Sequence, residues 1–407
     1  SSSSWFNTNH QNLLHGPVAY FSMEYAIHNS LPMYAGGLGI LAGDICKEAS
    51  EIGLPLVAVG FMYPQGYFQQ NISADGWQQE VYTQLDFKEA PISSCPWPQG
   101  CGPLVSVPLS NTVLDLAVWQ VRVGRVNLYL LDTNVESNSP QNRVLSARLY
   151  TADPEERLRQ LIVLGTGGVR ALRMLGINPS VWQANEDHTA FMMMERLREQ
   201  VEEGASFTEA IERVRSTTVF TTHTPVSAGH NMFTFEVLDR YAPNLWEPLG
   251  MDREGFLKLG EHPGLDPGGF SLTAFALRLS GQANAVSRLH GAVTRKMWHV
   301  LWPEKNEDET PITHVTNGVH LPTWQAPGIA MLCKKYLGPE LALRQDDPEL
   351  WECVVNIPDE ELWELRLLLR TRLIRAMQDR AQQRWGEGSV QGGTRSGGRM
   401  RAEIAIA

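Results

Sequence analysis

The chain has 407 residues, 43% hydrophobic and 19% charged, a globular composition that excludes a disordered or collagen-like polymer. Its formal net charge of −11 argues against nucleic acid as a partner. The five cysteines, Cys46, Cys95, Cys101, Cys333 and Cys353, are odd in number and carry no Cys-x-x-Cys, which points to reduced thiols rather than a disulfide framework or a zinc site.

Cys95 and Cys101 flank a Pro/Gly-rich loop and would pair only on oxidation. No apolar run approaches the roughly 18 residues of a membrane span, and Ser1–Ser4 lead directly into polar sequence. A cytoplasmic location with no membrane partner is the expectation.

In chain order, 1–16 is a lead-in. The short apolar run 17–22 (VAYFSM) predicts a buried strand, 31–39 (LPMYAGGLG) a Gly-rich turn, 40–52 a helix and 55–62 the next strand. That is one βαβ unit. Residues 66–79 predict a polar, aromatic loop or hairpin, and 91–103 a loop. Alternation over 104–131 predicts antiparallel strands. Residues 154–175 predict a long helix, with Asp153 as N-cap before Pro154. Strands follow at 181–185, 217–224 and 313–316, with helices at 187–202 and 285–300. Repeated β-then-α order predicts an α/β, Rossmann-like, doubly wound sheet over 17–358. Residues 359–385 predict an Arg-rich amphipathic helix. The Gly/Arg-rich stretch 386–407 has no usable period and is expected to be disordered.

Three segments could carry chemistry. Gly36-Gly37-Leu38-Gly39 lies between a strand and a helix, where bare backbone N–H groups and a helix N-terminus suit an oxyanion. The loop lacks the Lys-Ser/Thr of a P-loop and the G-x-G-x-x-G spacing of a dinucleotide fold. Asn185-Glu186-Asp187-His188 closes one strand, where polar groups could orient sugar hydroxyls; helix capping explains the same residues. His223 and His230 near another strand end have no recognised metal spacing, and no metal is expected. No specific carboxylate pair of the glycosidase kind stands out.

YFSMEY (20–25), LPMYAGGLGILAGD (31–44), GLPLVAVGFMY (53–63), DGWQQEVY (75–82), LYLLDT (128–133), NEDHTAF (185–191), VFTTHTPVSAGH (219–230), NAVSRLHG (284–291) and VTNGVH (315–320) occur in that order. Together they resemble the α-glucan phosphorylases, in the bacterial and archaeal branch, across residues 5–385. The resemblance implies the N-terminal half of a glycosyltransferase-B type fold. It also implies phosphorolysis of α-1,4-glucan by inorganic phosphate, with retention, to glucose 1-phosphate, and pyridoxal phosphate held on a lysine. Matched residue by residue, Gly36, Gly37, Leu38 and Gly39 fall on the substrate-phosphate loop, with Gly37 and Leu38 nearest the chemistry. Glu24, with Gly36, falls beside the cofactor pocket. Asp187 and His188 fall in the cleft-lining catalytic segment, and Gly281 and Asn284 on the segment that approaches the sugar.

The branch usually has Gly where Ala26, Asp187 and Ala285 stand, His or Leu at Gln183, and often a larger polar residue at Gly281. None of the seven lysines, Lys47, Lys88, Lys258, Lys296, Lys305, Lys334 and Lys335, sits in a sequence like the cofactor motif. The expectation is that the chain alone lacks the cofactor lysine and is inactive, with self-association into a homo-oligomer possible. A non-catalytic glucan-binding module is the alternative. A nucleotide-sugar glucan synthase is a weaker one, because Met33-Tyr34-Ala35 holds no Lys before the loop.

Overall fold

The computed structural model describes residues 4–10, 12–13, 15–73, 75–95, 104–241, 245–264 and 268–388. Cys101 and residues 389–407 of the Gly/Arg-rich stretch lie outside them. The chain divides into two compact units, Ser1–His320 and Leu321–Ala407.

The strands of the first unit, in chain order, are β1 (Val18–Phe21), β2 (Leu56–Phe61), β3 (Gln69–Ile72), β4 (Gln78–Val81), β5 (Ser93–Ser94), β6 (Val105–Leu109) and β7 (Thr112–Val123). They continue with β8 (Val126–Asp132), β9 (Val181–Asn185), β10 (Thr218–Thr222), β11 (Met232–Thr234), β12 (Gly269–Ser271), β13 (Gln282–Ala285) and β14 (Thr313–His314). The main sheet runs β14-β13-β10-β9-β1-β2-β8-β7-β5, with β6 also on β7. Every pairing from β14 to β8 is parallel. The β8–β7, β7–β5 and β7–β6 pairings are antiparallel.

Composition explains the difference between the two halves of this sheet. LVAVGF in β2 is buried at every position, as an interior strand covered on both faces requires. VSVPL in β6 alternates buried and exposed, as a strand with one solvated face does. β7 and β8 join through the two-residue turn Gly124-Arg125, where Gly124 supplies the positive φ of 60° that matches the strand twist. The sequence reading of 104–131 as antiparallel strands thus holds, although β8 also pairs parallel to β2. The 66–79 segment forms the exposed hairpin β3–β4.

The chain leaves β1 through the helix Gly37–Ile52 to β2, then builds outward to β8. It returns to the other side of β1 for β9, β10, β13 and β14. The direction of winding therefore reverses between β1 and β9, and ligands of doubly wound sheets bind outside the carboxyl ends of strands at such a point. The long helix after Asp153 is α-helical over Pro154–Ile162, widens to a π turn over Val163–Gly167 and resumes over Gly168–Met174. Asp153 caps it by accepting from the Glu155 N–H at 2.9 Å. A Cβ on Gly165 would lie 2.3 Å from the Met192 N and 2.4 Å from the Phe191 carbonyl carbon, so this helix meets the helix Phe191–Glu202 backbone to backbone. That contact seats the segment following β9.

The second unit holds the helices Pro327–Leu337 and Asp359–Gly388 around Leu332, Cys333, Leu337, Leu341 and Ile357. The last helix runs through residues 386–388, beyond the boundary read from composition. Among the described residues, no helix is long and apolar enough to cross a membrane.

Candidate functional site

The site is assembled where the winding reverses. Just past β1, Glu24 is 2% exposed, so its carboxylate needs donors. It has three. Oε2 accepts the Ala35 N–H at 2.8 Å and the Gly36 N–H at 3.1 Å, and Oε1 accepts the Tyr150 hydroxyl. Glu24 thereby ties the Gly loop to the sheet. Tyr150 sits at φ 62°, a left-handed conformation that a tyrosine adopts only when its surroundings impose it. Burial, with the adjacent Glu24 carboxylate, pushes the Tyr150 pKa up, which keeps the donated proton in place.

The helix Gly37–Ile52 begins inside the loop, three residues before the sequence reading, with Gly36 as an N-cap that makes no side-chain cap. The first N–H groups of a helix have no intrahelical acceptor and carry the positive end of its dipole. Gly36 and Gly37 are exposed, and a Cβ on either would meet nothing within 4 Å. Neither has a positive φ. Packing does not require glycine at these two positions, and the space in front of them is open. Gly39 is the opposite case: its Cβ would lie 2.6 Å from the Tyr34 Cβ and 2.8 Å from Glu24 Oε2. The Gly36 N–H is already spent on Glu24, so the free cradle is that of Gly37, Leu38 and Gly39.

Across the reversal, Glu186 follows β9 at φ 74° and is buried. Its carboxylate accepts from His223 N at 2.7 Å, Thr224 Oγ1 at 2.9 Å, Asp187 N at 3.2 Å and Thr222 Oγ1 at 3.3 Å. Burial, reinforced by the neighbouring Asp187 carboxylate, raises its pKa to about 7 against those hydrogen bonds. Asp187 accepts from Asn231 N at 2.9 Å, Asn231 Nδ2 at 2.6 Å and Thr273 Oγ1 at 2.8 Å. Glu186, Asp187 and His230 bring one potential ligand atom each within 4.8 Å of one another. The oxygens of both carboxylates, however, already face N–H and O–H donors.

His188, His223 and His230 are all held toward the neutral form, mainly by burial; His223 is lowered to about 4. The Asn185 Oδ1 lies 2.6 Å from His223 Nε2, which assigns the ring proton to that nitrogen. The cation here is Arg157. Its Nη1 donates to the Met23 Sδ at 2.9 Å, its Nε to Asn231 Oδ1 at 3.4 Å, and its guanidinium lies 4.8 Å over the Tyr150 ring. It bridges the Glu24–Tyr150 pair to the Asp187–Asn231 pair. Burial lowers its pKa, opposed by its anionic surroundings.

No family model matches the sequence. Individual proteins do. The chain is 42% identical to the glycogen phosphorylase of Aquifex aeolicus over 369 residues, 91% of this chain and 53% of that protein. It is 43% identical to the maltodextrin phosphorylase of Thermococcus litoralis over 382 residues, 94% of this chain and 45% of that protein. It is 42% identical to the glycogen phosphorylase of Mycobacterium tuberculosis over 385 residues, 91% of this chain and 44% of that protein.

Along 91–94% of its own length the chain is similar to glycogen and maltodextrin phosphorylases. It spans about half the length of these relatives. Of the residues that the family resemblance singled out, Glu24, Gly36, Gly37, Leu38, Gly39, Asp187 and His188 come together at the carboxyl ends of β1 and β9. Asn284 lies one residue before the end of β13, accepting from Thr221 Oγ1 at 2.8 Å. Gly281 does not join them. It precedes β13 at the amino end of the strands, where its N–H reaches the Thr218 carbonyl and its Cβ would meet the Arg215 carbonyl oxygen at 2.3 Å. Glycine there serves close packing. Tyr150, Arg157, Asn231 and Thr273 were not singled out, because no local pattern marks residues that reach the site only through tertiary contact.

A lysine for a pyridoxal phosphate Schiff base is a further test. Lys88, Lys258, Lys296, Lys305, Lys334 and Lys335 are exposed, and Lys47 is half-buried within the helix after the Gly loop. None takes part in the network above, so these residues do not fit the cofactor's covalent anchor.

Proposed function

We propose that the first unit forms the glucan-facing wall of an α-1,4-glucan phosphorylase, one Rossmann-like half of a glycosyltransferase-B architecture, acting in the cytoplasm. The reaction is attack of inorganic phosphate on the terminal α-1,4 bond of a glucan, with retention, to give glucose 1-phosphate. The observation that carries this reading is the Gly36-Gly37 pair. It is exposed at a helix N-terminus without a side-chain cap, not required by packing, and linked through Glu24 and Tyr150 to His188, whose ring lies 6.1 Å from that of Tyr150. A dipole-backed row of N–H groups suits a phosphoryl oxygen, and amide, carboxylate and imidazole edges suit sugar hydroxyls.

No residue of this wall is placed as a general acid. Glu186 is wrapped by four donors, and the three imidazoles are held neutral. In this reading the proton for the leaving oxygen and most of the phosphate-binding charge are supplied by groups other than those of this wall. The 407-residue chain, in this reading, binds glucan without turning it over.

The test is phosphorolysis of maltoheptaose by the purified 407-residue protein with phosphate and pyridoxal phosphate, read as glucose 1-phosphate. No product, with measurable maltoheptaose affinity, is the expected result. Product formation refutes the half-site reading. Neither product nor affinity refutes the assignment of the wall. Product formed from a nucleotide-sugar donor, with none from phosphate, would favour the synthase alternative.

A further inference from the structure

At the opposite, amino-terminal ends of β9 and β10 lies a second polar cavity of about 170 Å³. It is lined by Arg173, Trp182, Arg196, Glu199, Arg213 and Thr217, among others. Three guanidinium groups face one carboxylate. Glu199 is engaged by Arg173, whose Nη2 donates to Glu199 Oε2 at 3.0 Å. Arg196 is 6% exposed, and among the described residues no carboxylate lies within ion-pair distance of it. Its Nη1 and Nη2 donate instead to the hydroxyls of Thr218, at 2.6 Å, and Thr217, and its guanidinium lies 4.6 Å over the Trp182 ring. Arg173 lies 5.3 Å from the same ring. Arg213, exposed on the helix Phe207–Ser216, donates to Gln200 Oε1 at 3.1 Å. Of the acids on its own helix, Glu209 is committed to the capping box with Ser206, and Glu212 pairs with Arg215 at 3.8 Å.

Held by neutral hydroxyls and a π face, with Glu199 already paired to Arg173, the buried Arg196 guanidinium has its charge only partly compensated, which is costly unless an anion supplies the balance. Burial and the neighbouring Arg173 lower the Arg196 pKa to about 9, the direction expected of a cation short of a counter-charge. Thr217, Thr218 and Trp182 fix the orientation of the fork, and Arg173 and Arg213 close the mouth. The excess of two positive charges complements a tetrahedral dianion, and arginine forks match its geometry.

We propose that this cavity is a phosphoryl-dianion site, distinct from the cleft at the carboxyl ends of the strands. Its ligand is inorganic phosphate or the phosphate of a small monoester. The site stands on Arg173, Arg196 and Arg213 alone and does not depend on the phosphorylase reading.

The test is calorimetric titration of the full 407-residue protein at pH 7.5 with inorganic phosphate and, separately, with glycerol phosphate. Arg213→Gln, an exposed change that leaves the core untouched, is expected to weaken binding about tenfold by removing one charge-assisted contact. Arg196→Lys, which keeps the charge but loses the fork, is expected to weaken it as well. Gly37→Val, in the other cleft, should leave this binding intact. Tighter binding of glycerol phosphate names a monoester as the ligand; tighter binding of phosphate names the free ion. Binding that is unchanged in both arginine variants, or lost only in Gly37→Val, overturns the proposal, as does the absence of saturable binding.

Discussion

Replacing Glu24 by alanine removes the one acceptor shared by three donors: the Ala35 N–H, the Gly36 N–H and the Tyr150 hydroxyl. Gly36 is exposed and its N–H finds water, so its loss costs little. Ala35 and Tyr150 are half-buried, and each loses a hydrogen bond to a charged group, worth about 1.5–3 kcal/mol. Relief of the buried charge offsets part of this, and the expected net loss is about 3 kcal/mol. Glutamine retains more. Its Oε1 keeps both backbone donors while its Nε2 donates to Tyr150, whose hydroxyl turns to accept, for a loss of about 1 kcal/mol. Urea unfolding of wild type, Glu24→Gln and Glu24→Ala gives the order, and hydrogen exchange over residues 33–40 locates the effect. An alanine variant within about 0.5 kcal/mol of wild type, with unchanged exchange in the loop, would refute the role given to Glu24.

Gly165→Ala places a methyl against the backbone of Phe191 and Met192, which cannot turn aside, and should cost about 3 kcal/mol or more in the same unfolding assay. Gly37→Ala should leave stability within about 0.5 kcal/mol of wild type, whereas Gly39→Ala, pressed against Tyr34 and Glu24, should lower the melting temperature clearly. Glu186 has its pKa raised to about 7, so the fold favours its neutral form. The corresponding stability is complete below the unfolded carboxyl range and is lost as pH rises through 7, to at most about 3 kcal/mol. Urea midpoints from pH 5 to 8 should therefore fall more steeply in wild type than in Glu186→Gln; parallel curves would contradict the shift.

The β1–Gly loop–β2 unit was legible because its strands are short apolar runs and its loop carries glycines that no buried turn demands. The polar strand ends at Asn185–His188 and His223 were legible for a related reason, since hydrophilic residues interrupt runs that otherwise read as core. The helix Leu272–Leu279 was not, because burial on nearly all sides leaves no amphipathic period. The helix Phe207–Ser216 carried a readable signal in the Ser206–Glu209 capping box. Tyr150 and Arg157 carried none: their roles depend on Glu24 and Asn231, distant in sequence. Gly281 shows the limit of matching by motif, because its neighbour Asn284 lies near the carboxyl end of β13 while Gly281 lies at the other.

The most direct test of the account is a hydrogen-exchange footprint of the 407-residue protein with saturating maltoheptaose and phosphate. Added protection over residues 24–40, 185–190 and 222–224 is the predicted result. Protection confined to other segments, or none at saturation, would contradict the placement of the glucan-facing wall where the winding of the sheet reverses.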